Sequence, residues 1–262
     1  MSIDESPVLG RHSPAAEAEP RLRVSGEAAD ACYRIEAAST DRLALRAASI
    51  TGIRHRLAGQ AGEDSFAWSV SGPRLAVAVA DGLGAVPGSQ AAARRAVLAG
   101  SEVAAARGSV GPAMAAANDA AAGGGATTLV VALVDSDGTV EAARVGDSTA
   151  FWVTDRGETW RELFEPAGGA EDQVGTETDA LPSPAVEWET VRLRLDRSDV
   201  LVLATDGVAD PWRDGPNTVA PALARALAAH PGPLELARLV DFSRQGCHDD
   251  RTVVSVWIRG TE

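Results

Sequence analysis

Apolar residues in this chain come in short bursts divided by turn residues. Leu43 to Gly52, Phe66 to Val70, Leu75 to Ala80, Thr128 to Val134, Val140 to Val145, Ala150 to Val153, Val191 to Leu195, Val200 to Ala204 and Val253 to Ile258 are rich in Val, Leu and Ala. They are too short for buried helices, which predicts strands. Asp135-Ser136-Asp137-Gly138 and Asp155-Arg156-Gly157 read as hairpin turns, because Asp and Gly tolerate the positive φ such turns require. A helical pattern occurs in two places: an Ala-rich block from Ser89 to Arg107 that resumes from Ala113 to Ala122, and a pair from Val219 to Ala229 and Leu234 to Gln245. Strands in runs and helices in pairs predict antiparallel sheet with helices layered outside, an α+β class rather than alternating βαβ units. Residues 1 to 38, rich in Glu, Ala, Pro and Ser, read as a flexible tail with a short helix near Ala28 to Ala37. The ordered domain is expected over 39–262.

Composition narrows the function classes. The chain has 262 residues, enough for a substantial core, and its 37 acidic against 24 basic side chains give a net charge of −13. Such acidity argues against a nucleic-acid backbone or an anionic membrane as partner and suits divalent cations. Cys32 and Cys247 are far apart and lack metal-ligand spacing, which fits a reducing compartment. No apolar leader and no run of eighteen apolar residues is seen, so a cytoplasmic location is expected.

The candidate chemistry lies where the strand-like runs end. Glu63-Asp64 precedes Ser65-Phe66, Asp81-Gly82 follows Ala80, Asp147 sits in Val145-Gly146-Asp147-Ser148, Asp206 in Ala204-Thr205-Asp206-Gly207, and Asp249-Asp250 precedes Arg251-Thr252-Val253. A single Asp-Gly is an ordinary turn. Five acidic clusters at strand ends are different, because carboxylates gathered in a partly dry site repel one another unless cations neutralise them. Oxygen-only donors point to Mg²⁺ or Mn²⁺ rather than zinc. Two rival chemistries fail on the residues. Gly82-Leu83-Gly84-Ala85-Val86-Pro87-Gly88 has the wrong spacing for a dinucleotide fingerprint, and no GxSxG is present for a serine hydrolase.

In their order, Glu63-Asp64, Asp81-Gly82-Leu83-Gly84, Gly125-Ala126-Thr127-Thr128, Val145-Gly146-Asp147-Ser148, Ala204-Thr205-Asp206-Gly207 and Asp249-Asp250-Arg251-Thr252-Val253 resemble the signature blocks of the metal-dependent serine/threonine protein phosphatases of type 2C, in their bacterial form. The resemblance spans about Ser49 to Ile258. It implies a four-layer αββα sandwich with a dinuclear Mg²⁺ or Mn²⁺ centre at the edge of two sheets. Asp81 would bridge the two metals and the Gly82 carbonyl would bind one of them. Asp206 and Asp250 would hold the other, and Glu63 and Asp64 would serve the Gly82-side metal directly or through water. Asp147 with Asp206 would form a third, weaker metal site. Asp81, Asp206 and Asp250 are thus the expected catalytic set, supporting attack of a metal-bridging hydroxide on a phosphoserine or phosphothreonine monoester.

The departures bear on substrate. Gly59 stands where the family carries an Arg that grips the substrate phosphate, Arg251 where Asn is favoured, and Thr149 where Arg is common. Arg56 and His55, with Arg54 beside them, are the nearest replacements for that grip; the alternative is a solvated basic strand end. His248 reads first as a turn residue, with a proton donor to the leaving alkoxide as the alternative. The segment Glu165 to Pro184 sits where the family has its flap. The expected partner is a phosphorylated protein, the product of a Ser/Thr kinase, met by a monomer without nucleic acid or membrane. The alternatives are a small phosphorylated metabolite as substrate, or a regulatory module that keeps the fold without turnover.

Overall fold

The computed structural model describes residues 33–84, 86–164, 179–213, 219–242 and 247–260. Eleven strands are present among them: β1 Tyr33–Ser39, β2 Leu43–Ile50, β3 Ser65–Ser71, β4 Arg74–Ala80, β5 Leu129–Asp135, β6 Thr139–Val145, β7 Thr149–Thr154, β8 Thr159–Glu162, β9 Glu189–Arg194, β10 Val200–Ala204 and β11 Arg251–Ile258. Six helices accompany them: α1 Ile53–Ala58, α2 Ser89–Arg107, α3 Val110–Ala121, α4 Asp206–Arg213, α5 Val219–Ala228 and α6 Pro233–Val240. The strands form two antiparallel sheets, one in the order β1-β2-β11-β10-β7-β8 and the other β3-β4-β5-β6-β9.

Alternation along each strand builds the layers. In β4, Leu75, Val77 and Val79 enter the core between the sheets, whereas Ala76, Ala78 and Ala80 face the helix layer. Bulky residues from both sheets, among them Phe66, Val130, Leu201, Leu203, Val254 and Val256, fill the middle. The outer face of the β4 sheet meets the small side chains of α2 and α3, Ala93, Ala96, Ala104, Ala113 and Ala117. Alanine on both surfaces brings helix close to sheet, which is why the alanine bias is concentrated there. The other sheet carries α4, α5 and α6, with Trp212 stacked on Phe151 at 4.5 Å between centroids. The result is the expected α+β αββα sandwich.

Three local expectations change. Tyr33–Ser39 is an edge strand, pairing Tyr33 with Ile50 and Ser39 with Ala44, where the pattern suggests the end of a helix. The Ala and Glu residues there have little strand preference, so the pairing with β2 sets the conformation. Residues 28–32 of that expected helix lie outside the described residues. Arg54, His55 and Arg56 form α1 instead of a strand end, and Asp206 starts α4 instead of a plain turn. Both helices are too short to show a period. The charged edge strand β8, at four residues, was likewise not expected. The Asp135–Gly138 turn forms as read, closed by the Gly138 N–H on the Asp135 carbonyl at 2.9 Å.

Candidate metal centre

Strand register brings the acidic blocks to one rim of the sandwich. Ser65 pairs with Ala80, so Asp64 and Asp81 leave β3 and β4 side by side. Ala204 pairs with Val253 and with Thr149, which sets Asp206 between the Asp249-Asp250 block and Asp147. Arg251 pairs with Ile50, which seats Gly52 and α1 against Asp250. Five clusters, separated by as much as 187 residues along the chain, therefore meet at neighbouring strand ends.

Threonines hold the backbone of this rim. The Asp81 amide donates to Thr128 Oγ1 at 2.9 Å, and the Asp81 carbonyl accepts from Thr127 Oγ1 at 2.8 Å and from the Thr128 amide at 2.9 Å. Thr128 Oγ1 shares a 2.7 Å hydrogen bond with Ser148 Oγ, which ties the Gly-Asp-Ser turn to the same point. Thr205 Oγ1 donates to Asp64 Oδ2 at 2.7 Å and accepts from the Thr252 amide at 3.0 Å. Thr127, Thr128, Thr205 and Thr252 are all buried. Placing hydroxyls on the backbone of a carboxylate-bearing turn fixes where its carboxylate points.

Among the described residues, Asp64, Asp81 and Asp206 form no ion pair with a cationic side chain. Burial first, then the charges of Asp64 and Asp206, pushes Asp81 up to about 11. Asp64 is raised well above its usual range by burial and then by Asp250 and Asp206, with the Thr205 hydroxyl working against them. Asp206 is pushed up to about 7, by burial and then by Asp147, Asp249 and Asp210. Glu63 is raised by burial, partly offset by His55. Asp64 Oδ1 is buried without a hydrogen-bond partner.

These features fit hard cations. An orphaned carboxylate oxygen beside two mutually repelling carboxyls is a site short of positive charge, and every side-chain donor there is oxygen. Among the described residues no group of three or more His, Cys, Asp or Glu side chains stands close enough together to hold a metal ion between them. Mg²⁺ suits an open set, since it retains several waters and takes only one or two carboxylates directly.

Two expected site residues are otherwise employed. Asp250, 2% exposed, accepts from the Gly52 amide at 2.6 Å through Oδ1, from the Glu63 amide at 2.6 Å through Oδ2, and lies 3.0 Å from His55 Nδ1. Its oxygens are occupied by protein donors. Its neighbour Asp249 is half-buried, accepts from the Asp250 amide at 3.1 Å through Oδ1, and its charge helps raise Asp81, Asp206 and Glu63. Two adjacent aspartates look alike in sequence; the protein hydrogen bonds accepted by the Asp250 carboxylate tell them apart.

Arg56 is also diverted. Its guanidinium lies 3.7 Å from Asp241 and 3.3 Å from the Tyr33 hydroxyl, on the side of β1 and α6. His55 is buried between Asp250 and, at 3.7 Å, Glu63. Arg54 is the exposed member of the trio and its charge is felt at Glu63. Gly59, at the position of the family's arginine, closes α1 in the left-handed region at φ 67°, a conformation that favours glycine. His248 is exposed and uses its carbonyl to accept from the Arg54 amide. Residues 165–178 of the expected flap lie outside the described residues; Leu181, beyond them, exchanges backbone hydrogen bonds with Thr127 at 2.8 and 2.9 Å. Of the two cysteines, Cys247 is a free thiol.

The chain thus forms an αββα sandwich with a carboxylate-lined rim at one end of its sheets. The chain belongs to the protein phosphatase 2C family, whose model matches residues 51–122 and 103–238. No curated protein matches the sequence. Among solved structures the chain is similar to RsbX in complex with magnesium, with 15% identity over 86% of this chain and all of that one, at a TM-score of 0.60. It is similar to the Mycobacterium tuberculosis serine/threonine phosphatase PstP/Ppp, with 21% identity over 84% of this chain and 100% of that one, at a TM-score of 0.59. The catalytic domain of PstP in complex with two manganese ions aligns at 22% identity, 84% and 99% coverage and a TM-score of 0.58. At these identities the likeness is one of fold.

Proposed function

We propose that this chain is a Mg²⁺- or Mn²⁺-dependent phosphomonoester hydrolase that removes phosphate from phosphoserine and phosphothreonine of proteins. The observation that carries the reading is the buried group of Asp64, Asp81 and Asp206, raised together and including an oxygen without a donor. Asp64, Asp81, the Gly82 carbonyl, Asp206 and Asp249 would hold two cations, with Glu63 acting through water and Asp147 with Asp206 offering a third position. Asp249 takes the place in this set that the sequence reading assigned to Asp250. Shifting the last block by one residue also puts Asp250 where the family favours Asn, in keeping with its internal hydrogen bonds. Bound divalent ions would lower the pKa of water and neutralise charge on the phosphoryl oxygens. The protein's own part is to hold the carboxylates, through Thr127 and Thr128 at Asp81 and Thr205 at Asp64, and to present Arg54 toward the substrate phosphate.

The test is Mn²⁺-dependent release of phosphate from a chromogenic monoester and from a phosphoserine peptide, with wild type and Asp81→Asn compared. Turnover of both substrates, lost in the variant, is expected. Gly59 at the arginine position and the diversion of Arg56 favour a second reading, a small phosphorylated metabolite as substrate. Hydrolysis of the small ester with none on phosphopeptides would select it. Mn²⁺ binding without any turnover would leave a regulatory module.

A further inference from the structure

His55 is one of the few buried charged or polar side chains at this rim that the proposed chemistry leaves without a task. It lies on α1, between the carboxylates of Asp250 and Glu63. Nδ1 is 3.0 Å from Asp250 Oδ1 and Nε2 is 3.7 Å from Glu63 Oε2. Because Asp250 as a carboxylate can only accept, Nδ1–H is the donor. The other two contacts of Asp250, from the Gly52 and Glu63 amides, bind the start of α1 and the backbone of Glu63 to the same carboxylate. The imidazole is therefore anchored on its Asp250 side and has one remaining nitrogen, which is turned to Glu63.

The far side of Glu63 is equally defined. A Cβ placed on Gly84 would stand 2.5 Å from Glu63 Oε2, so the carboxylate lies directly over the Asp81-Gly82-Leu83-Gly84 turn. The Gly82 amide also donates to the Glu63 carbonyl at 3.3 Å. Glu63 is thus confined between an imidazole and Gly84 of the turn that begins at Asp81.

We infer that His55 is a positioning residue: anchored by Asp250 and packed 3.7 Å from Glu63, it confines that carboxylate over the Asp81–Gly84 turn, where Glu63 acts on the metal site. The inference rests on the metal reading above. It gives His55 a different role from the phosphate contact expected of it, and it accounts for a buried Asp250 that binds protein donors. The arrangement is an anchored imidazole orienting a carboxylate, and removal of such an outer partner typically weakens metal affinity about 10- to 100-fold.

The two nitrogens can be separated experimentally in the full chain. Asn at 55 places its amide near the Nδ1 position and Gln near the Nε2 position. Calorimetric titration with Mn²⁺ alone, together with the melting temperature of the metal-free protein, reads the two contacts independently. His55→Asn is expected to keep the melting temperature near wild type while weakening Mn²⁺ binding about tenfold. His55→Gln is expected to recover much of that affinity at a lower melting temperature. Glu63→Gln should weaken Mn²⁺ binding as His55→Asn does, and the double variant should lose no more than Glu63→Gln alone, since both changes act through one contact. Unchanged Mn²⁺ affinity in His55→Asn, or additive losses in the double variant, overturns the inference. If His55→Asn does not fold, the comparison of His55→Gln with Glu63→Gln in the same titration decides, equal losses overturning it. Asp81→Asn separates the two levels. Loss of Mn²⁺ binding there with no effect at His55 removes the positioning role alone, whereas a wild type that binds no Mn²⁺ removes the metal reading and this role with it.

Discussion

The two ends of the same sandwich treat acidic residues in opposite ways. At the end away from the candidate centre, Arg74, Asp135, Asp137, Glu141 and Arg192 line a groove of about 430 Å³. Acids there meet cations: Glu141 pairs with Arg192, and Asp137 lies 3.5 Å from Arg194. Asp137 is held below its usual range, first by the Thr139 amide and further by Arg194. Burial pushes Glu141 up, but the Arg192 guanidinium and the Val110 amide bring it below its usual range. At the opposite rim, Asp64, Asp81 and Asp206 are raised, first by burial and then by the charges of neighbouring carboxyls. The contrast shows that position at a strand end does not mark function. An acid that its own fold has already neutralised is structural, whereas a buried acid surrounded by acids awaits a cation from outside.

The largest expected effect at the metal rim is on turnover. Asp81→Asn should lower Mn²⁺-dependent hydrolysis by several kcal/mol of transition-state stabilisation, or roughly a thousandfold, measured as kcat/KM. The same change should raise the melting temperature of the metal-free protein, because it removes a repelling buried acid. A fall in both quantities would break the contrast between the rims.

The adjacent aspartates should then divide activity from folding. Asp250→Ala leaves two buried amides and His55 without an acceptor and should destabilise the fold by about 2–5 kcal/mol in urea unfolding. Asp249→Ala should leave stability within about 1 kcal/mol and weaken Mn²⁺ binding instead. Identical behaviour of the two variants would remove the distinction drawn between them.

The pH dependence follows from the raised acids. A carboxyl that binds its proton more tightly when folded contributes stability that is fully present below its unfolded pKa, near 4 by the usual value, and is lost as pH rises through its folded one. For the metal-free protein that loss should run through about 7 for Asp206 and on toward about 11 for Asp81. Metal-free protein should melt lower at pH 9 than at pH 5. Mn²⁺ at a hundred times its Kd should restore about 2.7 kcal/mol. The smallest effect belongs to the opposite end, where Glu141→Gln should cost about 1 kcal/mol or less and leave Mn²⁺ affinity unchanged.

Much of the fold was legible because alternation and turn residues recur along most strands. β4 shows it in miniature, with Leu75, Val77 and Val79 on one face and alanines on the other. Less legible were β1, whose Ala and Glu residues carry little strand preference, and α1 and α4, which are too short for a period. At the site, the residue types and their order were readable, but their employment was not. Asp249 and Asp250 are identical in chemistry and adjacent in the chain. What divides them is that Asp250 meets the Gly52 and Glu63 amides, while the charge of Asp249 is felt at Asp81 and Asp206.

The sequence by itself determined antiparallel sheet with helices layered outside, the oxygen-only donor set and, through the order of its motifs and the family they resemble, the αββα layering and the glycine at position 59 where that family carries arginine. These follow from local alternation, residue type and motif order, which need no knowledge of distant contacts. The tertiary structure alone decided that Arg56 is spent on Asp241, that His55 joins Asp250 to Glu63, and that Arg54 remains at the surface beside the acids. The physical reason is register: β2 and β11 pair Ile50 with Arg251, and that one alignment sets α1 against the end of a strand nearly two hundred residues away.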